Sequence, residues 1–387
     1  MSKFLKILCI CILLPCVCFS ADVKIGKNKE FIVNGKPFFP LEVTGQAVLN
    51  LDFHKSLGIN VVGDLYDNSH RGDTKYCWDI CASKGLLTEQ TAGDIEMVKK
   101  FKDHPALFTW WQPDEPDNNN DKGTKNKPED IQEIYKKIKA ADPNHPVGIC
   151  FGSSFAIGSP MSPNRYYPEY LKGADFAVTD VYPCNRVELG PKRLNVYKKG
   201  MSQLTRVTKG NMPIGIAVEA SFLGAEGGRD PGTSRAPKAD ELRAEVWMAI
   251  VHGAKYICYF THSWSPGGYD GARVPPDLQE EMKKLNKNIT DLAPVILSEN
   301  SKMNVKVEPS KDSNVDVSIM LRESADKLYI FTSNTKYEKG PAEFTVEGLK
   351  TGEVEVYDEG RKITLSNGKF QDNFKTYEPH IYVLNKK

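Results

Sequence analysis

Between Phe38 and Leu297, short apolar runs alternate with segments whose apolar residues recur at three- and four-residue spacing, and the alternation repeats eight times. The runs that predict strands are Phe38 to Val43, Asn60 to Tyr66, Leu86 to Gln90, Leu107 to Gln112, Val147 to Phe151, Phe176 to Tyr182, Ile214 to Ala220 and Tyr256 to His262. Helices are predicted between them. Ile131, Ile134 and Ile138 fall at i, i+3 and i+7, the stripe of a helix packed on one side, and Leu242 to His252 and Leu278 to Leu292 are patterned similarly. Alternation without a long reversal implies parallel strands, and eight units in roughly 260 residues predict an α/β fold, a closed (β/α)8 TIM barrel. An open doubly wound sheet competes with it, but no Gly-x-Gly-x-x-Gly follows the first strand.

After Leu297 the period changes. Val315 to Leu321, Leu328 to Phe331 and Glu353 to Tyr357 alternate apolar and polar residues, with turn residues such as Asn367-Gly368 between runs. These predict a small C-terminal antiparallel β-sandwich of about eighty residues, packed on the barrel because no Gly/Ser-rich tether precedes it. The expected organisation is a signal peptide over residues 1–20, a catalytic barrel over 21–299 and an accessory β domain over 300–387, a structural prop rather than a second sugar-binding module.

Lys3 and Lys6 precede the apolar run Ile7 to Phe19, too short to span a bilayer comfortably and ended by Ser20 and Ala21. This reads as a secretory signal cleaved after Ser20, which places the protein outside the cell or in a periplasm, with no membrane insertion afterwards. A lipoprotein anchor at Cys16 competes, although Pro15 stands where that signal needs a small residue. Four cysteines leave with the signal. The remaining Cys77, Cys81, Cys150, Cys184 and Cys258 form no disulfide framework, and Cys150 and Cys258 sit inside apolar strands as small hydrophobes. No Cys-x-x-Cys or His-x-His pair is present, so neither a metal nor another cofactor is expected. The tripeptide Arg71-Gly72-Asp73 reads as a loop coincidence. Lysine plus arginine at 51 against aspartate plus glutamate at 50 leave a formal charge of +1, which favours a neutral partner over nucleic acid.

Barrel enzymes place their chemistry where strands end, which sorts the acidic residues. Ala106 to Trp111 runs straight into Gln112-Pro113-Asp114-Glu115-Pro116, a carboxylate pair between two prolines and well before the next helix near Pro128. Glu219 interrupts the apolar seventh strand near its exit, where a structural pairing with Arg229 or Arg243 is the alternative to function. Asp180 and Tyr182 alternate onto one face of the sixth strand. Trp264 and His262 follow the eighth, Trp111 ends the fourth, and Glu42, Asp64 and Glu89 lie at the exits of the first three.

His104-Pro105-Ala106-Leu107 followed by Asp114-Glu115-Pro116, with Glu219 on the seventh strand, resembles the clan A glycoside hydrolases over residues 38 to 297. The resemblance implies Glu115 as acid/base and Glu219 as nucleophile, with Trp264 as a stacking platform beneath the sugar. Asp114 stands where that clan commonly has asparagine, and similar barrels sharing the His252-Gly253-Ala254-Lys255 pattern have glutamine at the position of Glu219. The expected function is a secreted retaining hydrolase of a β-linked oligo- or polysaccharide. One carboxyl protonates the glycosidic oxygen and another attacks the anomeric carbon at a separation of about 5 to 5.5 Å. Tyr182 is expected to help keep Glu219 ionised. A catalytically silent carbohydrate-binding barrel is the alternative. A metal-dependent hydrolase lacks the histidine spacing for its ligands.

Overall fold

The computed structural model describes residues 20–386 except Arg71 and residues 121–122, 125, 158–165, 186–192, 225–233 and 266–267. The signal segment, Arg71 of the Arg-Gly-Asp tripeptide and Arg229 therefore lie outside the described residues. Eight parallel strands close into a barrel: β1 (Leu41–Val43), β2 (Val61–Gly63), β3 (Leu87–Thr91), β4 (Leu107–Trp111), β5 (Val147–Phe151), β6 (Phe176–Asp180), β7 (Ile214–Glu219) and β8 (Ile257–Phe260). Each pairs with its neighbours in sequence, and β8 returns to β1 through Ile257 opposite Leu41. Helical segments lie in every crossover. Among them are α1 (Pro128–Ala141), α2 (Val196–Thr208), α3 (Ala239–Val251) and α4 (Pro276–Ile296). The stripe on α1 buries Ile131 and Ile138 against the barrel, as amphipathic periodicity requires.

The expected first strand, Phe38 to Val43, is divided. Lys36–Phe38 belongs to a three-stranded antiparallel sheet with Val23–Ile25 and Phe31–Val33, and β1 begins only at Leu41. Pro40 lies at the break, where the missing N–H cannot join a ladder. That small sheet closes the bottom of the barrel. Phe31 is fully buried, its ring centroid 5.2 Å from that of Phe108, 5.1 Å from Phe176 and 5.9 Å from Tyr256, all inward-facing residues of the barrel strands or of the residue just before β8. The lower barrel is thus a packed core, which leaves the C-terminal mouth as the place for a site.

Eight antiparallel strands form the C-terminal domain: β9 (Val305–Pro309), β10 (Val317–Ser324), β11 (Lys327–Asn334), β12 (Gly340–Val346), β13 (Thr351–Val356), β14 (Arg361–Ser366), β15 (Lys369–Phe374) and β16 (Pro379–Asn385). They make one sheet in the order β9-β12-β15-β14-β13-β16-β11-β10. Phe344 of β12 and Tyr382 of β16 stand four strands apart in that order, yet their rings are 5.1 Å apart. Strands are spaced about 4.8 Å in a flat sheet, so this one folds over on itself like a sandwich around its own core. The domain docks on the outer helices. Phe331 stacks on Trp247 of α3, Lys198 of α2 pairs with Asp316 at 3.0 Å, and Arg322 Nε donates to the carbonyl of Ile296 at 3.0 Å.

His380 offers a test of this domain. Burial alone would lower its pKa, but Glu359 at 2.5 Å and Glu378 at 3.6 Å outweigh burial and raise it to about 9. A folded-state pKa above the ordinary histidine value of about 6.5 means the stabilisation is complete below pH 6.5 and is lost as pH rises through about 9. The melting temperature is expected to fall between pH 6.5 and 9.5, with a shallower slope in His380→Gln. Equal slopes in the two proteins by scanning calorimetry would remove this pair from the account.

Candidate active site

The strand exits surround a cavity of about 410 Å³ at the barrel mouth. Nine of the residues singled out above line it: Glu42, Asp64, Glu89, Trp111, Asp114, Asp180, Tyr182, His262 and Trp264. Neither Glu115 nor Glu219 is part of the wall.

Glu42 and Glu89 form the inner part of the wall. Each is at most 3% exposed, and the two carboxyls fill the space above Gly63, where a Cβ would lie 1.7 Å from Glu89 Oε1 and 2.8 Å from Glu42 Oε1. Only glycine fits there. The Tyr256 hydroxyl donates to Glu42, and Thr44 Oγ1 donates to Glu89 at 3.4 Å. Burial pushes Glu42 above the usual carboxylate range, and burial followed by the charge of Glu42 pushes Glu89 well above it. Two such groups in contact favour sharing a proton over ionising together. The pairing register shifts between Thr88 and Glu89 where β3 meets β4. Asp64, just beyond β2, is fixed differently. Its two oxygens accept from Gln90 Nε2 at 2.6 Å, from Thr91 N at 3.0 Å and from Thr91 Oγ1 at 3.0 Å.

A second acidic group lies at the exits of β4 and β6. Asp180 is pushed well above the usual range by burial, then by the charges of Glu115 and Asp114, and it is hydrogen-bonded to Glu115. No donor reaches its buried Oδ1. Glu115 has φ of 43°, a left-handed conformation that costs a non-glycine residue on the order of 1 kcal/mol or more. Asn118 Nδ2 donates to its Oε2. Gly152 leaves the room, since a Cβ there would lie 3.0 Å from Glu115 Oε1.

Aromatic residues make the remaining wall. Tyr182 packs on Phe260 with centroids 4.9 Å apart, and Trp264 stacks near-parallel to Phe260 and His262. His262 Nε2 donates to the carbonyl of Thr44 at 2.8 Å, and Nδ1 lies 2.5 Å from the Tyr269 hydroxyl. Burial lowers the pKa of His262, which favours the neutral ring, in which Nδ1 accepts from that hydroxyl. Its role is to hold Tyr269 at the rim. Trp264 is half-buried and lines the cavity, whereas the ring of Trp111 packs edge-on against Phe176 and Tyr256 as part of the floor.

Glu219 stands elsewhere. It is fully buried at the end of β7, where Oε1 accepts from Cys184 N at 2.6 Å and Oε2 accepts from Asn185 N at 2.9 Å and Asn185 Nδ2 at 2.7 Å. Tyr182 is not among these donors; it faces the cavity, and two backbone amides after β6 take the place expected for it. Arg243 pairs with Glu281 rather than Glu219. Glu245 of α3 lies against Glu219, with the Tyr197 hydroxyl donating to its Oε2 at 2.9 Å. Burial drives Glu245 well above the usual range and Glu219 up to about 7, the latter offset in part by its N–H donors. Cys184, Glu219 and Glu245 place ligand atoms within 4.8 Å of one another, although the oxygens of Glu219 are already occupied by donors.

Thr44, Thr91, Cys150, Cys258, Phe260 and Tyr269 also line the cavity. Period-two alternation from Tyr256 to His262 would have found Cys258 and Phe260. Tyr269 carries no such signal, because the hairpin of Ser263–Ser265 with Gly268–Asp270 brings it back over the mouth.

No protein-family model matches the sequence, and no curated protein matches it. Among solved structures, the chain is similar to the α-amylase of Geobacillus thermoleovorans complexed with acarbose, with a TM-score of 0.56 and 12% identity over 94% of this chain and 95% of that one. An α-amylase from Anoxybacillus is similar at a TM-score of 0.51 and 11% identity, over 88% of this chain and 90% of the other. The likeness is one of fold. It agrees with a (β/α)8 barrel followed by an antiparallel β domain.

Proposed function

We propose that the protein is a secreted glycoside hydrolase that cleaves a β-linked glycan in this cavity with retention, Glu115 acting as the acid/base. The observation that carries the reading is the contact between the carboxyls of Glu115 and Asp180, the latter lining the cavity beside a wall of aromatic rings and across from fixed carboxylates. The pair supplies a proton to the departing glycosidic oxygen while an ionised carboxylate attacks the anomeric carbon. Water then hydrolyses the glycosyl ester as Glu115 takes a proton back. Asp64 is the better nucleophile candidate than Glu219, because it lines the cavity, whereas Glu219 is fully buried outside that wall; each carboxylate accepts three hydrogen bonds. A panel of aryl β-glycosides, with proton NMR of the first-formed anomer, tests the proposal. An inverted product would replace direct attack by an activated water.

The sequestration of Glu219 favours a second reading, a carbohydrate-binding barrel without catalysis. Saturable binding of oligosaccharides with no hydrolysis of any aryl glycoside would establish it. Secretion is supported by the charged and apolar pattern of residues 1–20, and sequencing of the mature protein is expected to start at Ala21.

Trp264→Ala separates a sugar platform from core packing. A half-buried ring on the cavity wall is expected to leave the melting temperature nearly unchanged while kcat/KM falls about ten- to a hundredfold through lost stacking and orientation. A core tryptophan would instead cost roughly 3 to 5 kcal/mol of stability. A large drop in melting temperature with normal activity per folded molecule would count against the platform.

A further inference from the structure

We infer that the sugar held in this cavity carries a free amine, a protonated hexosamine residue in preference to a neutral or anionic one. The inference rests on the reading of the cavity as a glycoside-binding site and specifies what it takes. Five carboxyl groups line about 410 Å³: Glu42, Asp64 and Glu89 on one side, Asp114 and Asp180 on the other. Among the described residues no lysine or arginine lines it, and burial lowers the pKa of the one histidine, which favours its neutral form. A uronate or sulfated sugar placed there would meet carboxylates without a counter-charge. An ammonium meets only acceptors. It can donate up to three charge-assisted hydrogen bonds, and carboxyls on both sides of the cavity can accept them.

Two features favour an amine on a sugar ring over a bare cation. The cavity far exceeds the size of one ion, and Trp264, Phe260 and Tyr182 offer ring faces that only an organic ligand uses. Moreover, the carboxyl oxygens here are not clustered for coordination. Among the described residues, ligand atoms within 4.8 Å of one another occur at Cys184, Glu219 and Glu245, outside this wall. In the free protein, burial and mutual repulsion favour a proton on Glu42 or Glu89, and a bound ammonium would take over that role there, leaving the proton of Glu115 and Asp180 for the leaving group.

The test compares kcat/KM for 4-nitrophenyl β-glucosaminide, β-glucoside, β-N-acetylglucosaminide and β-glucuronide, together with calorimetric binding of a glucosamine tetramer and cellotetraose to Glu115→Gln. The free amine is expected to be favoured about ten- to a hundredfold over the hydroxyl in either measurement, the scale of one charge-assisted hydrogen bond. Equal or better turnover of the glucoside, acetamide or glucuronide overturns the inference while leaving the glycosidase reading intact. Tighter binding of the glucosamine tetramer with no hydrolysis of any glycoside does the reverse. Glu89→Gln and Glu42→Gln, each checked by thermal melting, are expected to reduce the amine preference about tenfold in at least one case. An unchanged preference in two folded variants would overturn the inference that the carboxyls of this wall hold the amine.

Discussion

Glu115→Gln is expected to lower kcat/KM by about 10² to 10⁴-fold on glycosides with poor leaving groups, with little change in KM or in melting temperature. Glutamine keeps the shape and the acceptor for Asn118 Nδ2, but it cannot release a proton. The loss is expected to shrink as the leaving group becomes more acidic, because such groups depart without protonation. Asp180→Asn is the necessary control. Its carboxyl is held well above the usual range by burial and by Glu115 and Asp114, so its removal should move the pH profile and cost less rate than loss of Glu115. A larger loss in Asp180→Asn would exchange the two roles, and full activity in both variants would end the proposal that this pair supplies the proton.

For Glu219, stability and activity are expected to part company. Glu219→Ala would strand the buried amides of Cys184 and Asn185 and open a cavity, a loss of roughly 3 to 5 kcal/mol. Glu219→Gln keeps the length and one strong acceptor, and removes the need for the two adjoining carboxyls of Glu219 and Glu245 to share a proton. It is expected to fold, with near-normal activity per folded molecule. If Glu219 were the nucleophile, the order would invert. Glu219→Gln would then melt normally and lose about 10³-fold or more in kcat, and a glycosyl ester would form on residue 219 rather than on Asp64. Denaturation curves beside kinetics and mass spectrometry of a trapped intermediate decide between them.

The contrast between Glu115 and Glu219 shows what linear reading reaches. Both stand at strand exits, and nothing in Val218-Glu219-Ala220 distinguishes a carboxylate in contact with a cavity-lining acid from one captured by backbone amides. Those amides belong to Cys184 and Asn185, more than thirty residues away, and become neighbours only because β6 and β7 pair in parallel. The contact of Glu42 with Glu89 is equally remote in the chain. It depends on Gly63 between them, whose missing side chain has meaning only once three strands lie abreast.

Local chemistry determined the rest. Eight apolar runs, helical stripes such as Ile131, Ile134 and Ile138, and the change to period two after Leu297 sufficed for the barrel and the β domain, because side-chain period reports which face of an element is buried. The same alternation put Asp180 and Tyr182 on one face and Trp264 beyond the last strand. Tertiary structure alone decided which carboxyls touch, which way Glu219 turns, and that the N-terminal segment folds into a separate small sheet whose Phe31 seals the barrel from below. Those outcomes depend on distances between residues far apart in the chain and on burial from water, and neither quantity is carried by any local stretch of sequence.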